Sequence, residues 1–595
     1  MTRLGNWKGL RKRLGGALAL AALGLLAAGC ADRAEPVTGL PSPGVVLMAA
    51  AAGQVGSDAG PALGSPYGAY LAGLFADRRH DLSVAADFML QALEYDPDNA
   101  QLLSRTFILM AGTGRHAKAV ELARRLNALN PEHGLVGLVL AVDAMERGRL
   151  EEADSYLSRL PERGLSTIAG PLMRGWIQIA RGDAALALER AQPLKNKKGF
   201  DVLYTLHVAL MNDVAGRVAA ARTAYEEALN LSGQPTLRLV WVAGNFFERA
   251  GLPDKAAEIY RGFLEQNPES PLFGLALDRV AGGDGPRATV ADAREGMAEV
   301  LFNLASLLSQ ERAEEVALIH AHLALRLKTG FEIARVLLGE ILQAQGRGRE
   351  AIAVYREVPA DSPYSWMVRL RIAEALEKLE MTEEAIAELE GLASARPEYF
   401  EPLFRLGNLL RNRERYEEAV SAYDRAAARL GSPERRHWTL YYFRGIALER
   451  LSRWPRAEED LLRALELEPE QPLVMNYLAY SWVEKKLNLD KAKRMLARAV
   501  ELRPRDGYII DSLGWVYYRL GEYDRGVKFL EQAVELRPQD PVINDHLGDA
   551  YWRVGRRQEA RFQWRRALSL GPEEDLMPKI EAKIEAGLTA PPENI

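Results

Sequence analysis

VINDHLGDAYWRVGRRQEARFQWRRALSLGP, residues 542–572, reads as two helices joined by a glycine. Leu547, Gly548 and Tyr551 fall on one face of the first helix, and Ala560, Trp564 and Ala567 on one face of the second. Gly555 separates the two and Pro572 ends the second. Gly548 and Ala560 carry almost no side chain, so the axes can approach toward the short end of the usual range of about 8–10 Å. Tyr551 and Trp564 then fill the space around that contact. The preceding stretch repeats the scheme with Leu513, Gly514, Tyr517, Gly521, Leu530, Ala533 and Pro538. Its Gly526 costs about 0.5–1 kcal/mol relative to alanine in a helix, a tolerable loss.

Outward from this stretch the same small residue recurs at Ala85, Ala119, Ala153, Ala187, Ala221, Ala256, Ala317, Ala351, Ala385, Ala419, Ala457, Ala492 and Ala560, with Gly526 in the one missing place. The commonest step is 34 residues. A fixed period of that length marks stacked two-helix units, each burying its apolar face on its neighbours. The expected fold is therefore all-α: a superhelical solenoid of about fourteen helix-turn-helix units. Hydrophobic residues at 48% and charged residues at 26% agree, and Leu, Ala, Glu and Arg are good helix formers. One step, from Ala256 to Ala317, is 61 residues and contains AGGDGPRATVADAREG, read as a loop followed by a helix starting near Asp292. Two readings fit it: a decayed unit or hinge between sub-arrays, and a loop that touches a partner. The step from Ala419 to Ala457 admits a short loop at LGSPERRHW. The chain accordingly divides into an array over 66–268, an irregular insertion over 269–297, a second array over 298–572, and a capping helix and tail over 573–595.

These residues resemble the tetratricopeptide repeat, which places a small residue at unit position 8, a small one at 20, a large one at 24, a small one at 27 and proline at 32. Pro97, Pro131, Pro268, Pro397, Pro469, Pro504, Pro538 and Pro572 occupy the last slot. Two units are weaker: the one around Ala153 has Ala141 at position 8, and the one around Ala187 lacks the closing proline.

Residues 1–29 carry a different message. Arg3, Lys8, Arg11, Lys12 and Arg13 precede the apolar run LGGALALAALGLLAAG, the pattern of a secretory signal peptide. Leu26-Ala27-Ala28-Gly29-Cys30 resembles a bacterial lipobox, with Ala27 where leucine is preferred. The resemblance implies acylation of Cys30, and Ala31 in place of aspartate implies transfer to the outer membrane, on its periplasmic face. Cys30 is the only cysteine, so no disulfide can form within one chain. Two or more acyl chains hold a protein on a membrane where one does so only marginally. Residues 30–65 form the acylated cysteine and a tether rich in Ala, Gly and Pro. A flexible chain of that length spans about 30 Å. The apolar stretch 45–52 could equally dock onto the array.

Catalysis finds no support in the sequence. None of the eight histidines has another at the four-residue spacing that sets two ligands on one helical face. With Cys30 committed to lipid, no thiolate metal site or Cys-His nucleophile is available, and AGGDGPRA lacks the ending of a phosphate-binding loop. Carboxylate pairs such as Glu383-Glu384 and Glu417-Glu418 recur at equal unit positions and read as solvated helix faces. No enzyme activity, metal or cofactor is expected. The formal net charge is −5, and the signal segment holds basic residues and no acid. A more acidic remainder disfavours nucleic acid.

The repeat resemblance implies that the first helix of each unit lines a concave wall, with positions 2, 5, 9, 12 and 13 facing the groove. In the last two units these are Tyr508, Asp511, Trp515, Tyr518 and Arg519, then Val542, Asp545, Asp549, Trp552 and Arg553. Further back the same rule selects Phe404, Asn408 and Arg411, and Tyr442 with Arg450. Aromatics and arginine dominate interface hot spots, which suits capture of a polypeptide; the alternative is that some pack against adjacent units. The lysine-asparagine clamp of some family members is unmatched, since Phe404 and Trp241 stand at position 5 beside Asn408 and Asn245.

Together these features resemble outer-membrane tetratricopeptide lipoproteins, and the block from Asn476 to Gly521 looks most like the LbcA-type adaptors of carboxyl-terminal processing proteases. The resemblance implies a non-catalytic scaffold whose partners are such a periplasmic protease and its peptidoglycan-hydrolase substrates. Two rival readings remain: a scaffold or pilotin for envelope assembly (outer-membrane insertion, polysaccharide export, or pilus and secretion), which shares every sequence feature, and a helical-solenoid cell-wall enzyme, which needs a separate catalytic domain. Self-association stays open.

Overall fold

The computed structural model describes residues 66–588 apart from 196, 269 and 284. The signal peptide 1–29, Cys30, the tether 30–65 and the tail 589–595 lie outside the described residues. All regular structure among the described residues is helical, from Pro66–Arg78 to Met577–Ala586. None of these helices is long and apolar enough to cross a membrane.

Local chemistry fixes the helix ends. Asp292 accepts a hydrogen bond from the backbone N–H of Glu295 at 2.8 Å and starts helix Ala293–Gln310. Asp540 does the same for Pro541–Arg553 through Val542 and Ile543. Such caps satisfy amides that no helical carbonyl reaches. The two helices of one unit part at a left-handed residue. Gly521 (φ 78°) and Gly555 (φ 85°) adopt that conformation without steric cost. Ser452 (φ 60°) adopts it where its unit lacks glycine, as do Arg312, Glu380, Glu414 and Lys486 in theirs.

The small-to-large pairing of the repeat is literal contact. A Cβ on Gly339 would lie 2.2 Å from the ring of Tyr355, and one on Gly548 would lie 2.5 Å from Trp564. Tyr355 and Trp564 are fully buried. Glycine at position 8 therefore makes room for the large ring at position 24.

Two compact units divide the described residues at 402/403. In the second unit, the first helix Gly507–Arg519 contacts the first helices on either side of it, Pro472–Glu484 and Pro541–Arg553, and each of the three contacts its own second helix. That row of first helices is the inner wall.

In the first unit the corresponding wall is formed by Ala100–Gly112, Gly134–Glu146, Ser166–Ala180 and Asp201–Val214. Here the structure corrects the reading of 269–297 as an irregular insertion between two arrays. Pro271–Gly282 is helical, and Ala293–Gln310 pairs with Glu314–Leu327 as a hairpin. The hairpin turns back into the first array: Ala293–Gln310 lies on Ser166–Ala180 and Asp201–Val214, and Glu314–Leu327 on Ala100–Gly112 and Gly134–Glu146. Residues 269–297 thus belong inside one compact unit and do not separate two.

Candidate functional site

Two inner walls were available as candidate binding surfaces, and the chain itself fills one of them. Gly296 of the hairpin faces the indole of Trp176, at a distance that a Cβ would reduce to 2.3 Å. Trp176, fully buried, donates its Nε1–H to His207 Nδ1 at 3.2 Å. Burial without a charged partner holds the His207 imidazole down to about 3, so it stays neutral. Charged contacts frame the hairpin: Arg105 donates to Glu315 at 2.5 Å, and Arg326 to Glu146 at 2.7 Å. Arg238, on Leu237–Arg249, makes a two-pronged pair with the fully buried Glu299. Met297, Val300, Leu301, Leu304, Leu318 and Ile319 show no exposure at all. Each such side chain contributes about 1.5–3 kcal/mol. Exposing about four of them matches the roughly 8 kcal/mol of a micromolar complex, so an ordinary ligand does not displace the hairpin.

The wall of the second unit holds the residues selected from the sequence, in two classes. Phe404, Asn408, Arg411, Arg450, Tyr508, Trp515, Arg519 and Arg553 are half-buried and retain surface. Tyr442, Asp511, Tyr518, Asp545, Asp549 and Trp552 are buried. For these six the expectation of an open groove face is corrected, because neighbouring helices cover them.

Each buried residue has an internal role. Asp511 accepts from His546 Nδ1 at 3.0 Å, and the His546 ring stacks on Trp515 with centroids 4.0 Å apart. Tyr518 also stacks on Trp515, with centroids 4.6 Å apart. Burial, then the charge of Asp549, pushes its phenol up to about 12, against an opposing Arg553. Tyr442 is enclosed by the rings of Trp438, Phe443 and Tyr477. Lys583, from the terminal helix Met577–Ala586, donates to Asp545 and Asp549 at 2.8 Å. Trp564 donates to Asp549 at 2.9 Å, and Trp552 to the carbonyl of Leu588 at 3.1 Å.

The half-buried class forms a graded surface. Phe404 packs its ring on Tyr423 and Phe443, while Asn408 accepts from the Tyr423 hydroxyl at 2.7 Å. The Arg411 guanidinium lies 4.5 Å over the Phe443 ring. Tyr508 carries the Arg537 guanidinium at 5.0 Å. Trp515 and Arg519 both donate to Glu484, at 2.7 and 3.2 Å. Sequence reasoning missed Glu484, Phe443, His546 and Lys583. The usable signal for Lys583 was the Asp545/Asp549 spacing, which sets two acids on one helical face.

A cluster of different chemistry lies in the first unit, where ligand atoms of His116, Asp143 and Glu146 come within 4.8 Å of one another. Sequence spacing concealed it, since His116 stands on a different helix from the two acids. Arg124 and Arg147 already bind Asp143, each at 3.0 Å, and Arg326 binds Glu146 at 2.7 Å. Those carboxylates are neutralised by guanidinium groups, and nothing here calls for a metal.

Comparison with known proteins matches the tetratricopeptide repeat family at residues 213–271, 370–435 and 404–472, and a second family form of the same repeat at 510–540. A TPR repeat-containing protein of Pseudomonas aeruginosa, PA4667, is 26% identical over 192 residues, 32% of this chain and 32% of that protein. The chain thus matches about a third of that relative's length. Among solved structures, the APC/C Cut9-Hcn1 assembly matches at 15% identity and a TM-score of 0.35, over 88% of this chain and 97% of that one. Yeast Tom70 matches at 14% identity and a TM-score of 0.31, over 88% and 95%. YrrB matches at 21% identity and a TM-score of 0.27, over 32% and 97%. With the repeat spacing, the glycine-to-ring contacts and the family matches in hand, the chain is an all-helical protein built on tetratricopeptide repeats.

Proposed function

We propose that this protein is a non-catalytic scaffold, held at the periplasmic face of the outer membrane through lipid on Cys30, that binds periplasmic proteins along the inner wall of its second unit. The carrying observation is the contrast between the two walls. One is filled by the chain's own hairpin; the other is covered by the terminal helix Met577–Ala586 only at its last unit and presents half-buried aromatic and arginine side chains in the units before it. Residues of these types supply most of the binding energy in protein interfaces. The resemblance to LbcA-type adaptors supports a carboxyl-terminal processing protease and its cell-wall hydrolase substrates as the partners. Joining both on one scaffold raises their effective concentration without adding a contact.

Affinity purification of the full chain from detergent-solubilised envelopes tests this reading. Recovery of a serine protease of that class is expected. Repeated recovery of pilus, secretion or export components alone would replace the adaptor reading with that of an assembly scaffold. Digestion of peptidoglycan by the purified protein would overturn the non-catalytic reading.

A further inference from the structure

We propose that the apolar stretch 45–52, VVLMAAAA, docks on the outward face of the first helix of the array, Pro66–Arg78, and closes that end of the solenoid, independently of the scaffold reading above.

Pro66–Arg78 is an inverted helix: its buried positions are the small ones, Ala69, Gly73 and Ala76. Gly73 lies against Met89 of the second helix, Leu82–Tyr95, where an added Cβ would come within 3.1 Å of the side chain. The large side chains point away. Tyr67 is 80% exposed, Tyr70 42%, Leu71 63% and Phe75 62%. Positions 67, 71 and 75 are four apart, which sets them on one stripe of the helix, and 70 adjoins it. The Arg79 guanidinium reaches the Phe75 ring at 5.5 Å and leaves most of it bare. Apolar surface gathered in this way marks a contact.

Other first helices show what packs on such a face. Each is met by the second helix of the unit before it as well as by its own: Leu82–Tyr95 lies on Ala100–Gly112, and Leu489–Leu502 on Gly507–Arg519. Gly507–Arg519, enclosed by its neighbours, buries every residue from Ile509 to Gly514. At the carboxyl end the last unit is closed by Met577–Ala586, which packs on Arg557–Ser569 and buries Ile580 completely. Pro66–Arg78 has no element before it among the described residues, so its outward face lacks the layer that those helices have.

The chain supplies an occupant of the right kind and place. Residues 45–52 are the nearest apolar run before Pro66 and carry no charge. Eight residues cover about 12 Å even when wound as a helix, which is the rise from Tyr67 to Phe75. A chain of the length of the link 53–65 spans about 20 Å, well beyond the separation of about 8–10 Å between packed helices. Attachment through so short a link raises the local concentration to about the millimolar range. The side chains also match. Four alanines let the rings of Tyr67 and Phe75 approach closely, as Gly548 does for Trp564. With lipid on Cys30, as proposed above, docking leaves residues 31–44 as the free tether, spanning about 20 Å in place of about 30 Å. The same contact then sets how far the array stands from the membrane.

The test uses the mature chain, residues 30–595, carrying Cys30→Ser so that introduced cysteines stand alone. Met48→Cys with Leu71→Cys should form a disulfide within one chain under mild oxidation, at a rate independent of protein concentration. Leu129, equally exposed on another helix of the same unit, supplies the control: Met48→Cys with Leu129→Cys should react about tenfold more slowly. Val45→Ser, Val46→Ser, Leu47→Ser and Met48→Ser together should speed amide exchange in Pro66–Arg78 about tenfold, the equivalent of baring about one apolar side chain. Equal reaction at Leu71→Cys and Leu129→Cys, or exchange unchanged by the four serines, overturns the docking. Cross-links between chains that rise with concentration assign the face to a second copy, and slower exchange that requires added phosphatidylethanolamine–phosphatidylglycerol vesicles assigns it to lipid; either result also overturns the docking. None of these readouts involves a partner on the second unit, so failure here leaves the scaffold reading standing.

Discussion

Gly296 and Trp176 lie on elements far apart in the chain, yet they meet with no room for a methyl group between them: a Cβ on Gly296 would stand 2.3 Å from the indole. Trp176 cannot yield, because it is fully buried and its Nε1 is committed to His207. Gly296→Val should therefore destabilise the first unit by about 1–3 kcal/mol, the range for overpacking a filled core. Urea denaturation reads the loss directly. An unchanged midpoint would mean that the hairpin does not occupy this wall.

The buried pair Arg238–Glu299 ties the same hairpin to Leu237–Arg249. Removing one charge leaves the other desolvated and alone, so Glu299→Gln should cost about 3–5 kcal/mol. Replacing both, as Arg238→Met with Glu299→Leu, should be neutral or stabilising by about 1–4 kcal/mol. A double-mutant cycle separates the two cases. Equal losses in the single and double variants would show that shape at this point matters more than charge.

Ser452 holds a left-handed backbone (φ 60°) at a turn where some units, such as those of Gly521 and Gly555, have glycine. That conformation costs a residue with a Cβ about 1–2 kcal/mol, partly offset by the greater freedom glycine has when unfolded. Ser452→Gly should leave stability unchanged or raise it by up to about 1 kcal/mol, whereas Gly521→Ala should lower it by a similar amount. Thermal melts of the two variants check the opposite signs.

The repeating contacts were legible because they are local. Gly548 and Trp564, or Gly339 and Tyr355, are set by a spacing that one unit contains. Asp292 was legible as a helix start for the same reason. The hairpin's return into the first wall was not, since Ala317 marks a second helix equally well in a plain stack and in a folded-back one. Burial of Asp545 and Asp549 escaped as well. Their spacing announces a shared face, but only tertiary structure reveals that Lys583 covers it.

Cys30 lies outside the described residues, and its proposed acylation makes a separate prediction. Cys30→Ser should abolish incorporation of labelled palmitate and release the protein from the membrane fraction, because no other acyl site would remain to hold it. Membrane retention of this variant would assign attachment to another part of the chain.

The terminal helix Met577–Ala586 should be held more firmly in mild acid than in mild base. Burial, then the charge of Asp549, pushes Asp545 up to about 6, even though Lys583 opposes the shift. The folded protein thus binds a proton on Asp545 that the unfolded chain has lost, and stability falls as pH rises from about 4 to about 6. For His546, burial favours the neutral ring, but Asp511, then Asp545 and Asp549, outweigh it and raise its value above the ordinary one. That contribution is fully present below about pH 6.5 and is lost as pH rises through the folded value. Lys583, raised by the same two acids against the cost of its burial, stays charged throughout. Both titrations therefore run in one direction. Amide exchange in Met577–Ala586, corrected for the intrinsic dependence on pH, should show greater protection near about pH 5 than near about pH 8. Asp545→Asn should flatten the lower part of the profile and leave the His546 part. Protection that rises with pH in the wild-type chain would mean that Lys583 does not close over this acidic pair.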